Sequence, residues 1–575
     1  MNYVIQHNAT FGQYIKITAS FKVNYQEITM LTFPNWRPGR YELANFAKNI
    51  KNFNIVGDDN QKVFFNKISA NEWEVKTKKV KGIKVTYYYY ANELNAGSTY
   101  VDDQQLYVNP INCLVYIKAQ QNSPCVLELG LPDNRKIASG LPFENNVLKT
   151  KNFHQLVDNP FIASSTLQHN SYQLNGITFN IWFQGLVQID WKKVIDDFIK
   201  FSRLQLKKMK GLPVKEYHFI YQILPIKAYH GVEHQNSTVI ALGPTYDLMG
   251  SLYDDFLGVS AHELYHTWNI KAIRPKEMYP YDYSKPNYSR LGYVAEGVTT
   301  YLGDLFLSKS GVKDWKWYKI ELEKLLQRHF DNFGRFNYSV AESSWDTWLD
   351  GYVQGVPHRK VSIYNEGALL SFILDITIRN NTKNEFSIHD VMRHLYDEYA
   401  KKNKGYTEQD FIKIASKFAK EDLTVFFEMY YYSANALEPI LTKTIENIGF
   451  SLKMEVNPNF TERILGLKTT VSNGITKATL TYPGSPSQMA NVLADDEILS
   501  INGYKVNNNL HKWVEFFQDS QIVLTISRKG RIIELICPNT NRFYYPKYKL
   551  EKQIPASNLS KSTFKKWCGH KWIEA

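Results

Sequence analysis

The run SAHELYHTWN sets His262, Glu263 and His266 in the order His-Glu-x-x-His. Leu257, Ala261, Leu264 and Trp268 recur at helical intervals through the same stretch, which predicts an amphipathic helix. On that helix His262 and His266 lie one turn apart on one face, so two imidazoles can meet one zinc ion. Glu263 projects about 100° round the axis from His262, near enough to act as base on a metal-bound water without ligating the metal. Two surface histidines flanking a solvated glutamate is the other reading these residues leave open.

A catalytic zinc takes a third protein ligand and keeps a position open. A second helical pattern, GYVAEGVTTYLGDL, carries Glu296 in its first turns and Thr300 one turn on. The Pro- and Tyr-rich stretch between can return the chain so that the two helices pack side by side, and Thr300 is placed by spacing to steady a ligating side chain. Read alone, Glu296 is equally a solvated helix residue.

Two more segments carry usable chemistry. In YHGVEHQNST, Gly231, Glu233, His234 and Ser237 follow the β-rich HFIYQILPI. A carboxylate on a strand beside the metal can hold a substrate α-amine, whose pKa of about 8 keeps it mostly charged at neutral pH. Glu233 as an ordinary edge-strand residue is the alternative. In SIYNEGALLSFILDITIR, Tyr364 precedes a helix built on Ala368, Leu369, Phe372, Ile373 and Ile376, where a phenol can donate to the oxyanion of a tetrahedral intermediate. The chain has 39 tyrosines, so position alone does not single this one out.

The elements that must position these residues follow from hydrophobic period. Ile15, Ile17, Ala19, Phe21 and Val23 alternate with Lys16, Thr18, Ser20 and Lys22, a strand with one buried face. Further β-rich runs, KVTYYYYA, CLVYIKA and TFNIWFQG, predict an N-terminal antiparallel β domain over 1–165. From Trp191 the period turns helical, with Val194, Ile195, Phe198, Phe201 and Leu204 in one stripe and Gly211 as the stop. Helical patterns then dominate to about residue 445, giving a second domain over 166–445. Short alternating strands around KATLTYPG and IVLTISRKG mark a small domain over 446–545, and a Lys-rich, mobile tail is expected over 546–575.

Composition narrows the function class. The net charge of +12 comes from Lys and Arg scattered among acids, with Lys207, Lys208 and Lys210 the nearest thing to a cluster, so no nucleic-acid partner is expected. Cys113, Cys125, Cys537 and Cys568 have no metal-like or disulfide-framework spacing. The start lacks a basic-then-apolar leader and no run of 18 apolar residues occurs, so a soluble, cytoplasmic protein without a membrane span is expected.

Together the segments resemble the glycyl aminopeptidase family of gluzincin metallopeptidases, which carry a PDZ domain after the catalytic domain. NWRPGRY (Trp36, Pro38, Gly39, Tyr41), GVEHQNS, HELYHTWNIKAIRP, VAEG, ESSWDTW (Ser343, Trp345, Asp346) and YNEGALLSFILDITIR occur in the family's order over most of the chain. The resemblance implies a multidomain fold: the β domain, a thermolysin-like mixed α/β to α-helical catalytic domain and a PDZ-like domain. It implies zinc on His262, His266 and Glu296, Glu263 as base, Tyr364 on the transition state, and Gly231, Glu233 and His234 at the substrate. The activity implied is removal of small N-terminal residues, Gly or Ala, from peptides with a free amine. Where the family has YxKG, this chain has Tyr364-Asn365-Glu366-Gly367, a local charge reversal. ATLTYPGSPSQMANVLADDEILSINGYKV resembles a PDZ core, with Asn491 and Asp495 at two usual glycines and Ile464-Leu465-Gly466-Leu467 as the loop for a peptide C-terminus. A PDZ-guided zinc endopeptidase and a non-catalytic PDZ adaptor are the competing readings.

Overall fold

The computed structural model describes residues 1–7, 10, 12–131, 135–352 and 355–572. The alternation at Ile15–Phe21 becomes the strand Tyr14–Lys22, whose apolar side chains are buried while the polar ones between them face outward. It lies inside a six-stranded sheet, between Asn2–Gln6 and Gly82–Tyr90. A three-stranded and a four-stranded sheet complete the β-rich N-terminal region, which shares one core around Trp36, Trp73 and Tyr87. CLVYIKA is not a strand. Pro110 starts a single helical turn, Pro110–Cys113, and only Tyr116 bridges to a strand residue, Thr32.

The middle of the chain is mixed α/β and then helical. Five strands, in the order Gln168–Leu174, Ile177–Gln184, Glu216–Ile223, Ser237–Gly243 and Ala228–Glu233, form a sheet that is parallel at its centre and antiparallel at both edges. The helices Trp191–Met209 and Tyr253–His266 pack on it with Phe198, Phe256, Leu257 and Leu264 fully buried. The first helix stops at Lys210, whose backbone is left-handed, one residue before the expected Gly211. No helix among the described residues is long and apolar enough to cross a membrane.

The C-terminal third differs from expectation in topology. Strand Phe450–Glu455 pairs antiparallel with Lys547–Lys552, so residues 460–545 leave and return as an inserted module with its own core around Leu467, Ile498, Val514 and Leu524. The segment expected to be a mobile tail is that returning strand followed by the helix Asn558–Cys568. Trp567 explains why it docks: its ring is fully buried in the core of the helical region and its Nε1 donates to the Tyr301 hydroxyl at 2.7 Å, which in turn donates to Asp375 at 2.7 Å.

Candidate metal centre

The helix Tyr253–His266 carries His262 and His266 with Nε2 atoms 2.9 Å apart. Glu296 reaches them from a π-helical turn, Tyr293–Val298, that opens the next helix, Thr299–Lys309. Its Oε2 lies 3.3 Å from His266 Nε2 and 3.9 Å from His262 Nε2. Donors around a tetrahedral ion with bonds of about 2.1 Å stand about 3.4 Å apart, so these separations bracket that spacing. Three glycines make the approach possible. A Cβ at Gly303 would stand 3.3 Å from the His262 backbone, and Gly297 lies so close to Gly367 that neither tolerates a side chain. The second pair also explains why NEG follows Tyr364: it lets the helix Asn365–Asn381 rest on the Glu296 turn.

Hydrogen bonds aim these candidate donors. His266 Nδ1 is 3.0 Å from the Asn269 carbonyl, which can only accept, so the lone pair is left on Nε2. Asn269 is itself fixed by donating to Val294 and Ala295 carbonyls and to Thr299 Oγ1. Thr299, not Thr300, is the threonine beside a ligand: its hydroxyl is 3.5 Å from His266 Nδ1, whereas the buried Thr300 hydroxyl meets no partner. Glu296 Oε1 accepts from Tyr41 across 3.0 Å. Burial and then Glu296 hold the Tyr41 phenol well above its ordinary pKa, so it remains a donor.

Charge in this site calls for a cation. Glu233, Glu263, His266 and Glu296 are all nearly inaccessible to solvent. Burial pushes the Glu263 carboxyl up to about 8, with Glu233 and Glu296 adding and His266 opposing. Burial resists charge on His266, but Glu296, Glu233 and Glu263 outweigh it and raise its pKa to about 10. The acidic groups around it thus favour positive charge at His266 Nε2, and two imidazoles with one carboxylate are a donor set suited to a zinc-like ion.

Around the donors stand the other residues singled out from sequence. A Cβ at Gly231 would overlap Glu263 Oε1, so a glycine is what lets the edge strand Ala228–Glu233 pass Glu263. Glu233 closes the same strand, and one of its carboxylate oxygens lies within 4.8 Å of those of Glu263 and a nitrogen of His266. Its Oε1 is buried without a partner. His234 does not face the donors: its Nδ1 meets Asp158 at 3.1 Å, and Asp158 also takes Lys271 at 2.7 Å, a tie across the seam with the N-terminal region. Glu366 points away from Tyr364 to His329 Nδ1 at 2.8 Å, inside the protein. The reversed charge is therefore absorbed by packing.

The N-terminal turn 36–42 supplies what the motifs gave no role. Trp36 Nε1 donates to the Asp282 carbonyl at 2.8 Å and seats the turn. Arg37 is buried, with Nη2 3.2 Å from His230 Nε2, and its charge acts on Glu233. A Cβ at Gly39, whose φ is +81°, would stand 2.5 Å from Glu233 Oε2. Tyr41 and Arg37 sit in a quoted motif, yet only contact across the seam gives them a task, while Asn269 takes its own from His266 and the neighbouring helical turn.

Residues 2–165 match the model of the peptidase M61 N-terminal domain, and residues 255–370 match that of the M61 glycyl aminopeptidase family. The chain is a metallopeptidase. Over 99% of both chains the metallopeptidase superposes on an aminopeptidase N family protein from Idiomarina loihiensis with a TM-score of 0.90 at 24% identity, which shows the shared fold. An M1 zinc metallopeptidase from Deinococcus radiodurans bound to a Tyr-Ser-Ala substrate is similar over 76% of this chain and 94% of its own, at 12% identity and TM-score 0.46. Native yeast LTA4 hydrolase covers 78% of this chain and 70% of its own, at 11% identity and TM-score 0.46. No curated protein matches by sequence.

Proposed function

We propose that the protein is a zinc-dependent aminopeptidase that removes small N-terminal residues from peptides. The observation that carries this reading is the convergence of His262, His266 and Glu296 beside a base, Glu263, and an unpaired buried carboxylate oxygen on Glu233. His262, His266 and Glu296 would hold the ion, which when bound supplies Lewis acidity, acidifying water and polarising the scissile carbonyl. Glu263 takes the proton from the attacking water and passes it to the nitrogen of the leaving amine. Tyr364 donates its phenolic proton to the oxygen that becomes negative in the tetrahedral state. Glu233 accepts from the substrate α-ammonium; at about 4 Å and an effective dielectric of about 20 that attraction is about 4 kcal/mol before desolvation.

Gly39 comes against the Glu233 carboxylate and the buried Arg37 acts on its charge, a setting for a bound ammonium group that favours an exopeptidase over an endopeptidase. Residues 460–545 we read as a PDZ-like module. Asn491 and Asp495 have φ of 62° and 70°, the left-handed backbone that glycine otherwise takes. Strand Leu467–Ser472 is paired on one side only, leaving an edge to which a peptide could add.

Glu263→Gln and Glu233→Ala test the reading on one free-amine tripeptide and its N-acetylated form. The first substitution should lower kcat about 10³-fold. The second should hurt the free-amine peptide far more than the blocked one. An acetylated peptide cleaved as well as the free one by the unaltered protein would contradict the aminopeptidase reading.

A further inference from the structure

Tyr352, in the loop between the helices Val340–Asp350 and Asn365–Asn381, stands against Tyr364 and has no part in the chemistry above. The Tyr364 hydroxyl donates to that of Tyr352 across 3.4 Å, and the two rings meet edge to face with centroids 6.4 Å apart. The same Tyr352 oxygen accepts the Tyr41 backbone N–H at 3.3 Å. Arg40 lies over the Tyr352 ring, 5.3 Å from its centroid, and pairs with Glu42, whose Oε2 accepts the Tyr352 N–H at 3.4 Å. The turn that sends the Tyr41 side chain to Glu296 thus uses its backbone to hold Tyr352. At the far end of the loop, His358 Nε2 is 3.3 Å from the Thr481 carbonyl of the inserted module. The base of the loop is tied by Arg359 and Lys360 to Asp350 and by Arg359 to Asp346.

We propose that Tyr352 is a positioning residue for Tyr364, fixing where the Tyr364 phenol sits and strengthening it as a donor. The proposal rests on the reading of Tyr364 as the oxyanion donor. A tyrosine hydroxyl gives one proton and accepts others. With Tyr41 N–H on its oxygen, Tyr352 can turn its own proton to the Tyr364 oxygen once Tyr364 turns its proton to the developing oxyanion. The bonds then run in one direction from Tyr41 N–H through both phenols to the reacting oxygen, and each polarises the next. A phenol held this way also has less freedom to lose as the oxyanion forms.

Tyr352→Phe keeps the ring and its contact with Arg40 and removes only the hydroxyl. On a free-amine tripeptide it should lower kcat about three- to tenfold, the worth of one neutral hydrogen bond, with KM within about twofold and the melting temperature unchanged. In a Tyr364→Phe background, itself down about 10²-fold, the same substitution should cost nothing more. Full kcat in Tyr352→Phe, or an equal fall in both backgrounds, overturns the positioning role while Tyr364 keeps its own. Undiminished kcat in Tyr364→Phe alone overturns the oxyanion reading and this proposal with it.

Discussion

The candidate metal centre is assembled from two regions that obey different rules. The helical half, from Tyr253 to Lys309, places His262, His266 and Glu296 by periodicity and by the glycine contacts that bring the helices together. The other half, the turn 36–42, has no regular structure of its own at the site and is placed by what Trp36, Arg37 and Tyr41 find on the catalytic side. The difference teaches that the donors and the aim of His266 belong to the helical half, whereas the bond on Glu296 and the contacts around Glu233 belong to packing between the two regions. Changes in the first region should therefore strike the chemistry, and changes in the second should act by degrees.

Gly231→Ala should have the largest effect of three substitutions around the site. The added methyl overlaps Glu263 Oε1, so the base or the edge strand must shift, and kcat should fall about 10²-fold with the metal retained. Kinetics beside metal content would check this, and near-normal kcat would show that the base is not held where the edge strand passes it. Tyr41→Phe removes the donor to Glu296 Oε1 from the far side of the domain seam. Metal affinity should weaken about tenfold in a competition titration with a chelator. An unchanged affinity would mean that the turn does not act through Glu296.

Asp158→Asn reaches the seam without touching the ligands. Burial alone would raise the Asp158 carboxyl, but Lys271 and His234 outweigh it and hold its pKa well below the usual carboxylate range. A depressed carboxylate pKa contributes stability that is present above its unfolded value of about 3.9 and lost as pH falls through the folded value. The variant should lose about 3 kcal/mol in denaturant unfolding at neutral pH, because Lys271 remains buried without its partner. The deficit relative to the unaltered protein should shrink below about pH 4.

Much of the helical half was legible from residues alone. Leu257, Ala261, Leu264 and Trp268 are all buried, as their spacing requires. What could not be read was set by contacts between distant segments. Thr300 follows Glu296 by one helical turn, but the ligand that needs support is His266 on the neighbouring helix, and the residue facing it is Thr299. Basic composition made 546–575 resemble a free tail, whereas the buried side of Trp567 and Cys568 ties it down. CLVYIKA has strand composition but lacks a neighbour to pair with beyond one bridge.

Metal analysis of the full chain, purified without chelator, tests the account at its centre. By mass spectrometry of the native protein and elemental analysis, one zinc ion per chain is expected, lost in Glu296→Gln and in His262→Ala. A chain that carries no divalent metal after equilibration with zinc, or one that keeps it equally in both variants, would contradict a site built from His262, His266 and Glu296.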